Sequence, residues 1–257
     1  MFLIDTHTHL YLEEFDDDRE AVVSRAIEND VRYMLLPNID SSSTEPMLNL
    51  CEQFPENCFP MMGLHPTSVK ENYQDEMKKV EGLLKKQKFY GIGETGIDLY
   101  WDKTFIEEQK IAFSRQVELA KEHKLPIIIH SRDSFDQIYE ILLKLNSDEL
   151  SGVFHCFTGD YEQAQKIIEL GLKLGIGGVL TFKNSGLGKV IARIDLEDII
   201  LETDSPYLTP TPFRGKRNES SYVNYIAEKL ATVKNTTVDT IAEITSQNAI
   251  DLFKLPV

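Results

Sequence analysis

Eight short apolar runs recur along this chain, separated by stretches with helical periodicity, and that alternation is the strongest constraint on its fold. The runs are FLID (2–5), VRYMLLP (31–37), FPMMGLHP (59–66), YGIGETGID (90–98), PIIIHSR (126–132), GVFHCFTG (152–159), KLGIGG (173–178) and DIILETDSP (198–206). Between them, 17–30, 105–123, 133–145 and 160–171 carry apolar residues at helical spacing. Asp133 and Asp160 stand where N-caps belong. Buried runs alternating with helices predict a parallel α/β sheet. Eight such units in 257 residues predict closure into a single (β/α)8 barrel spanning 1–257. A doubly wound open sheet is the alternative. A last helical segment, 236–255, is expected to pack on the barrel exterior or cap it.

In a barrel of this kind, functional residues stand at the C-terminal ends of the strands. The residues there are His7 and His9, Asn38, His65, Glu94, His130, His155 and Asp204. Five of the six histidines fall at this level, and only His123 lies elsewhere, near a helix end. His7 and His9 are two apart, so on a strand they share a face. Each residue alone has an ordinary reading: His155 as a hydrogen-bonded core histidine, Glu94 as a turn cap, Asp204 as an Asx-turn residue before Pro206. Converging without a cation, they would carry a heavy desolvation cost. Together they predict a site for divalent metal. His7, His9, Glu94 and Asp204 form one set, His130 and His155 a second pair, and Glu94 can bridge them. Such donors suit Zn, Mn, Ni or Mg, for one or two ions. Asp5 and Glu202 are candidates for orienting the ligand rings.

Composition narrows the partners. No apolar run approaches the roughly 20 residues of a membrane helix, and the start lacks a signal-peptide pattern. Cys51, Cys58 and Cys156 are an odd count without CxxC spacing, which reads as reduced thiols in a cytoplasmic protein. The net charge of −15 argues against broad electrostatic binding of nucleic acid. A nucleic-acid substrate would need a local patch of cations or bound metal. No segment points to an obligate protein partner.

The stretches DTHTHL (5–10), GLHP (63–66), GETGID (93–98), LPIIIHSRD (125–133), HCFTG (155–159), LETDSPYL (201–208), RGKRNE (214–219) and NAIDLF (248–253) resemble, in order and over essentially the whole chain, the TatD family of metal-dependent deoxyribonucleases. The resemblance implies an amidohydrolase-like barrel that hydrolyses phosphodiesters with one or two divalent ions, including 3′-to-5′ removal of nucleotides from DNA. It carries ligand roles onto His7, His9, Glu94, His130, His155 and Asp204. Three positions depart from the family pattern: Phe213 where His is frequent, Ser220 where Pro is frequent, and Thr95 where Ile or Cys is usual. None removes a ligand, but Phe213 weakens the expectation that its loop handles substrate as in other members.

On this reading Asp204 is ligand and general base, and Glu94 bridges and spaces the ions. Four residues are candidate substrate contacts. Arg132 would fork onto phosphate oxygens, against the alternative of pairing with Asp133 or Glu94. His65 would donate to phosphate or ligate weakly. Arg214 and Lys216, with Arg217, form a cationic loop that meets the DNA backbone or is simply solvated. Tyr100 and Trp101 would stack a base or pack as a lid. Competing readings are a D-aminoacyl-tRNA deacylase, a small-molecule amidohydrolase, or a non-enzymatic metal-binding protein.

Overall fold

The computed structural model describes residues 2–256. Eight strands alternate with helices in chain order: β1 Leu3–Asp5, α1 Arg19–Glu28, β2 Val31–Pro37, α2 Ser41–Gln53, β3 Cys58–Met61, α3 Tyr73–Leu84, β4 Ile92–Asp98, α4 Ile106–His123, β5 Ile127–Arg132, α5 Phe135–Leu145, β6 Gly152–Phe154, α6 Tyr161–Glu169, β7 Lys173–Ile176, α7 Leu187–Ile191, β8 Ile199–Leu201, α8 Val223–Lys234 and α9 Val238–Phe253. All strand pairs are parallel and sequential, in ladders β1–β2–β3 and β4 through β8. The two ladders meet at seams. At one, Thr8 bridges Ser205 and the Thr6 N–H donates to the Leu201 carbonyl at 3.0 Å. At the other, Met62 bridges Ile92 and accepts from the Gly93 N–H at 3.0 Å. This is the (β/α)8 arrangement, with isolated bridges in place of continuous pairing at both seams.

Strand alternation divides the apolar residues between two layers. Ile127 and Ile129 of β5 join the large cluster under the helices, while Ile128 between them joins an interior cluster with Ile4, Tyr33, Phe59, Val153 and Ile200. These interior residues lie early in their strands. Ala249 and Phe253 of α9, with Leu255 after it, complete the same cluster. The Tyr33 hydroxyl donates to the Pro256 carbonyl at 2.6 Å. The C-terminal helix therefore plugs the end of the barrel opposite the site.

Two local expectations change. Asp133 does not cap α5: it has φ of 55°, Ser134 holds the N-cap position, and no side chain caps that helix. Asp160 does cap α6, in a reciprocal capping box with Gln163. β1 ends at Asp5 and His7 lies in a bend. Strict alternation from the interior Ile4 would aim residues 6 and 8 inward. The bend resets that parity, so His7 and His9 converge as members of the segment after the strand. Among the described residues no helix is long and apolar enough to cross a membrane.

Candidate metal centre

The strand ends bring His7, His9, His65, Glu94, His130, His155 and Asp204 together, and all but the buried His7 line one cavity. Glycine makes the central carboxylate possible: a Cβ at Gly96, whose φ is +149°, would collide with the His130 carbonyl. Only a residue without a side chain lets β4 lie this close to β5. Glu94 is buried, and its two oxygens face different groups. Oε2 lies 3.1 Å from His7 Nε2 and 3.5 Å from His9 Nε2. Oε1 lies 2.8 Å from His130 Nδ1, 3.4 Å from His65 Nε2 and 3.6 Å from His155 Nε2. Asp204 completes the ring from the left-handed region, with φ of 57°. Its Oδ1 lies 3.8, 3.7 and 3.8 Å from the Nε2 atoms of His7, His9 and His155. Its carboxylate faces these imidazoles, not the turn that follows.

These separations suit a shared ion. Zn–N bonds of about 2.0–2.1 Å in tetrahedral geometry put ligand nitrogens ~3.3 Å apart, and His7 Nε2 and His9 Nε2 are 3.2 Å apart. The groupings differ from the expected pairing. His155 falls with His7 and Asp204, while the second group around Glu94 contains His65 and His130.

Groups on the far side of His9 and His130 set their tautomers, assigned from those contacts, whereas among the described residues Nδ1 of His7 and of His155 is buried without a hydrogen-bond partner. The Tyr11 hydroxyl donates to the Pro37 carbonyl at 2.5 Å, so it accepts from His9 Nδ1 at 2.8 Å. That leaves the His9 Nε2 lone pair facing the site. Asp98 Oδ2 pairs with His130 Nε2 at 3.0 Å, while Glu202 Oε1 accepts from the Cys156 N–H at 2.6 Å and lies 2.9 Å from His155 Nδ1 as a charge neighbour. His65 is the exception. Its Nδ1 accepts the Thr67 N–H at 3.2 Å, so its proton rides on Nε2, the atom facing Glu94. It is built to donate. Asp5 does not orient a ring: it accepts from Thr203 N–H at 2.8 Å and Thr203 Oγ1 at 2.6 Å.

The electrostatics favour positive charge here. Burial would raise Glu94, but His65, His7, His155 and the His130 hydrogen bond hold it well below the ordinary carboxylate range. Burial lifts Asp204 to about 6, against the pull of His155 and His9. His155 is driven up to about 10 because Glu202, Glu94 and Asp204 outweigh its burial. His7 is pushed well down by burial and by His155, which keeps its lone pair available. Asp98 falls to about 2 because the His130 bond and the backbone N–H donors of Trp101 and Tyr100 outweigh burial. Glu202 Oε2 is buried with no hydrogen-bond partner, an arrangement that is costly without a compensating group. The residues present fit one or two divalent ions.

The cavity has a volume of about 590 Å³, and His65, Arg132 and Trp101 line it beside the ligand cluster. Arg132 does not pair with Asp133 or Glu94. Its guanidinium lies 3.9 Å over the Tyr100 ring, and among the described residues it makes no ion pair. Arg214 and Lys216 lie outside the cavity lining. Arg214 stacks 3.6 Å over Phe182, Lys216 Nζ lies 5.6 Å from the Phe213 ring, and Arg217 is neutralised by Asp18 at 2.7 Å. Phe213 stacks on Tyr222 with centroids 4.5 Å apart. Sequence reasoning gave no role to Asp98, Tyr11 or Thr67. Asp98 shared strand parity with Glu94, a usable signal. The other two depend on contacts across loops.

Comparison with known proteins places this architecture among relatives. The family described as TatD related DNase matches residues 4–254. The chain is 38% identical over 254 residues to the metal-dependent hydrolase YabD of Bacillus subtilis, covering 98% of this chain and 99% of that one. It is 31% identical over 259 residues to the metal-dependent hydrolase YcfH of Escherichia coli K12, covering 99% and 97%. The crystal structure of YjjV, a TatD homologue from E. coli K12, superimposes with a TM-score of 0.93 at 30% identity, covering 99% of this chain and 98% of that one.

Proposed function

This chain belongs to the family of TatD related DNases, metal-dependent hydrolases, and on that premise we propose that it cleaves phosphodiester bonds of DNA, removing nucleotides from a 3′ end. The observation that carries the proposal is one cavity combining the Glu94-centred donor cluster with two donors suited to phosphate, His65 and Arg132. His7, His9, His155 and Asp204 would hold one ion and His130 a second, with Glu94 between them. Bound divalent ions supply Lewis acidity, which acidifies water and stabilises charge on phosphoryl oxygens. The chain's own residues do the rest. The Asp204 carboxylate accepts the proton of the attacking water as general base. His65 Nε2–H donates to a non-bridging phosphoryl oxygen. Arg132 presents its N–H edge to a second oxygen while its face rests on Tyr100. Asp98 keeps His130 in orientation through its hydrogen bond, and Glu202 places its charge beside His155.

The net charge of −15 and the position of Arg214 and Lys216 outside the cavity favour a substrate engaged at its end. The substrate is DNA or another nucleotide-bearing molecule, with no obligate protein partner. Free Cys51, Cys58 and Cys156 suit action in the cytoplasm. The test sets 5′-labelled and 3′-labelled oligonucleotides beside an RNA, a D-aminoacyl-tRNA and an amide panel, with and without chelator. A chelator-sensitive ladder shortening from the 3′ end supports the proposal. Turnover confined to the amide or aminoacyl substrates replaces it with the deacylase or amidohydrolase reading.

A further inference from the structure

We propose that Trp101 is a stacking platform for the base of a nucleotide whose phosphate lies at Arg132 and the metal centre. This deepens the phosphodiester reading and rests on it.

Trp101 sits in the loop between β4 and α4 and is 68% exposed, while its neighbour Tyr100 is 54% exposed. A tryptophan serving only as packing would be covered, because its large apolar surface is costly to leave in water. Here it lines the same cavity as His65 and Arg132. Tyr100 meets the indole at 90° with centroids 4.9 Å apart, an edge contact that props the ring. Arg132 caps Tyr100 at 3.9 Å and lies 5.3 Å from Trp101. One guanidinium thus borders both the phosphate position and the aromatic pair.

Asp98 fixes the distance between platform and ligands. Its Oδ1 accepts from the Tyr100 N–H at 2.9 Å and the Trp101 N–H at 3.1 Å. Its Oδ2 faces His130 Nε2 at 3.0 Å. A single buried carboxylate holds a candidate metal ligand with one oxygen and the aromatic turn with the other. Further along the loop, Lys70 pairs with Asp102 at 3.0 Å, tethering the segment to the neighbouring βα loop. The platform is pre-positioned, which lowers the ordering cost of stacking.

The ligand class follows from the geometry. Every base has a π-face, so an indole accepts bases with little sequence preference. A base inside a duplex is already stacked on its neighbours. The platform therefore selects an unpaired terminal nucleotide.

Trp101 is the only tryptophan in the chain, so its emission reports this position alone. The Zn-loaded full chain is titrated with deoxyadenosine monophosphate and with 2-deoxyribose 5-phosphate, by calorimetry and by tryptophan emission. The nucleotide binds about tenfold more tightly than the sugar phosphate and quenches emission to saturation, while the sugar phosphate does not. In Trp101→Ala the two affinities converge to within about twofold because only the nucleotide weakens, and Trp101→Phe recovers part of the gap. Equal wild-type affinities for the two ligands, or a Trp101→Ala variant that keeps the tenfold gap, overturns the platform and leaves the phosphodiester reading standing. If neither ligand binds, the phosphodiester reading falls and the platform falls with it.

Discussion

Tyr11 holds His9 from behind with a hydroxyl already committed to the Pro37 carbonyl, and this kind of contact decides which ring nitrogen faces the cavity. Removing such a partner costs roughly 10–100-fold in metal affinity. Tyr11→Phe should weaken Zn binding by about that factor in a competition titration, with the fold intact by circular dichroism; unchanged affinity would remove Tyr11 from the account. Asp204 has a different task. Asp204→Asn keeps most of the metal, because His7, His9, His155 and Glu94 remain, yet should lose most of its turnover for want of a proton acceptor. Wild-type rates in that variant would eliminate the base assignment. At this scale the histidines were legible because a residue type at a strand end is visible in the sequence. Asp98 shared strand parity with Glu94 and was legible in principle, but Tyr11 and Thr67 were not, because their partners are set by loops that fold back, as when Thr67 takes the His65 Nδ1 lone pair.

The elements follow the hydrophobic pattern where it is long and capped. The segment 105–123 became α4 Ile106–His123, and Asp160 capped α6 as its spacing with Gln163 allows. Legibility failed where local geometry overrode period. The bend at His7 aims both N-terminal imidazoles inward despite the parity of β1. Asp133 took a left-handed conformation and ceded the cap position of α5 to Ser134. The role of α9 was left open because an amphipathic tail fits either the outer wall or the barrel end. The cluster of Ala249, Phe253 and Leu255 with Ile4, Phe59 and Ile200 makes it the plug. Phe253 is buried, so Phe253→Ala should destabilise by about 3–5 kcal/mol in denaturant unfolding. A loss below about 1 kcal/mol would mean that α9 lies on the barrel without closing it.

Across the whole molecule, charge and topology work against each other. The chain carries −15, yet eight parallel strands deliver imidazoles and Arg132 to one mouth. On the phosphodiester reading, a substrate anion would meet a local positive site inside a repulsive field, so few phosphates should be contacted. The salt dependence of single-stranded DNA binding should then be shallow, about −0.7 per contacted phosphate, and a slope implying many contacts would contradict end recognition. The acid limb of stability rests on pairs such as Arg25–Glu219, 2.6 Å apart, which join α1 to the segment before α8. Burial would raise Glu219, but Arg25 and Ser221 outweigh it and hold its pKa below the ordinary 4.5. A depressed folded-state pKa contributes stability that is present above the unfolded value and is lost as pH falls through the folded one. Unfolding midpoints should therefore drop below about pH 4.5, and Glu219→Gln should flatten that decline.

Distant segments converge on one donor cluster fit for divalent ions, and metal content measures whether it loads. Chelator-stripped protein reloaded with Zn, Mn or Mg and freed of excess should hold one or two ions per chain by plasma mass spectrometry, and a His7→Ala, His9→Ala double variant should hold fewer. Stripped wild-type protein that takes up none of these ions, or a double variant that loads as fully as wild type, would contradict the account.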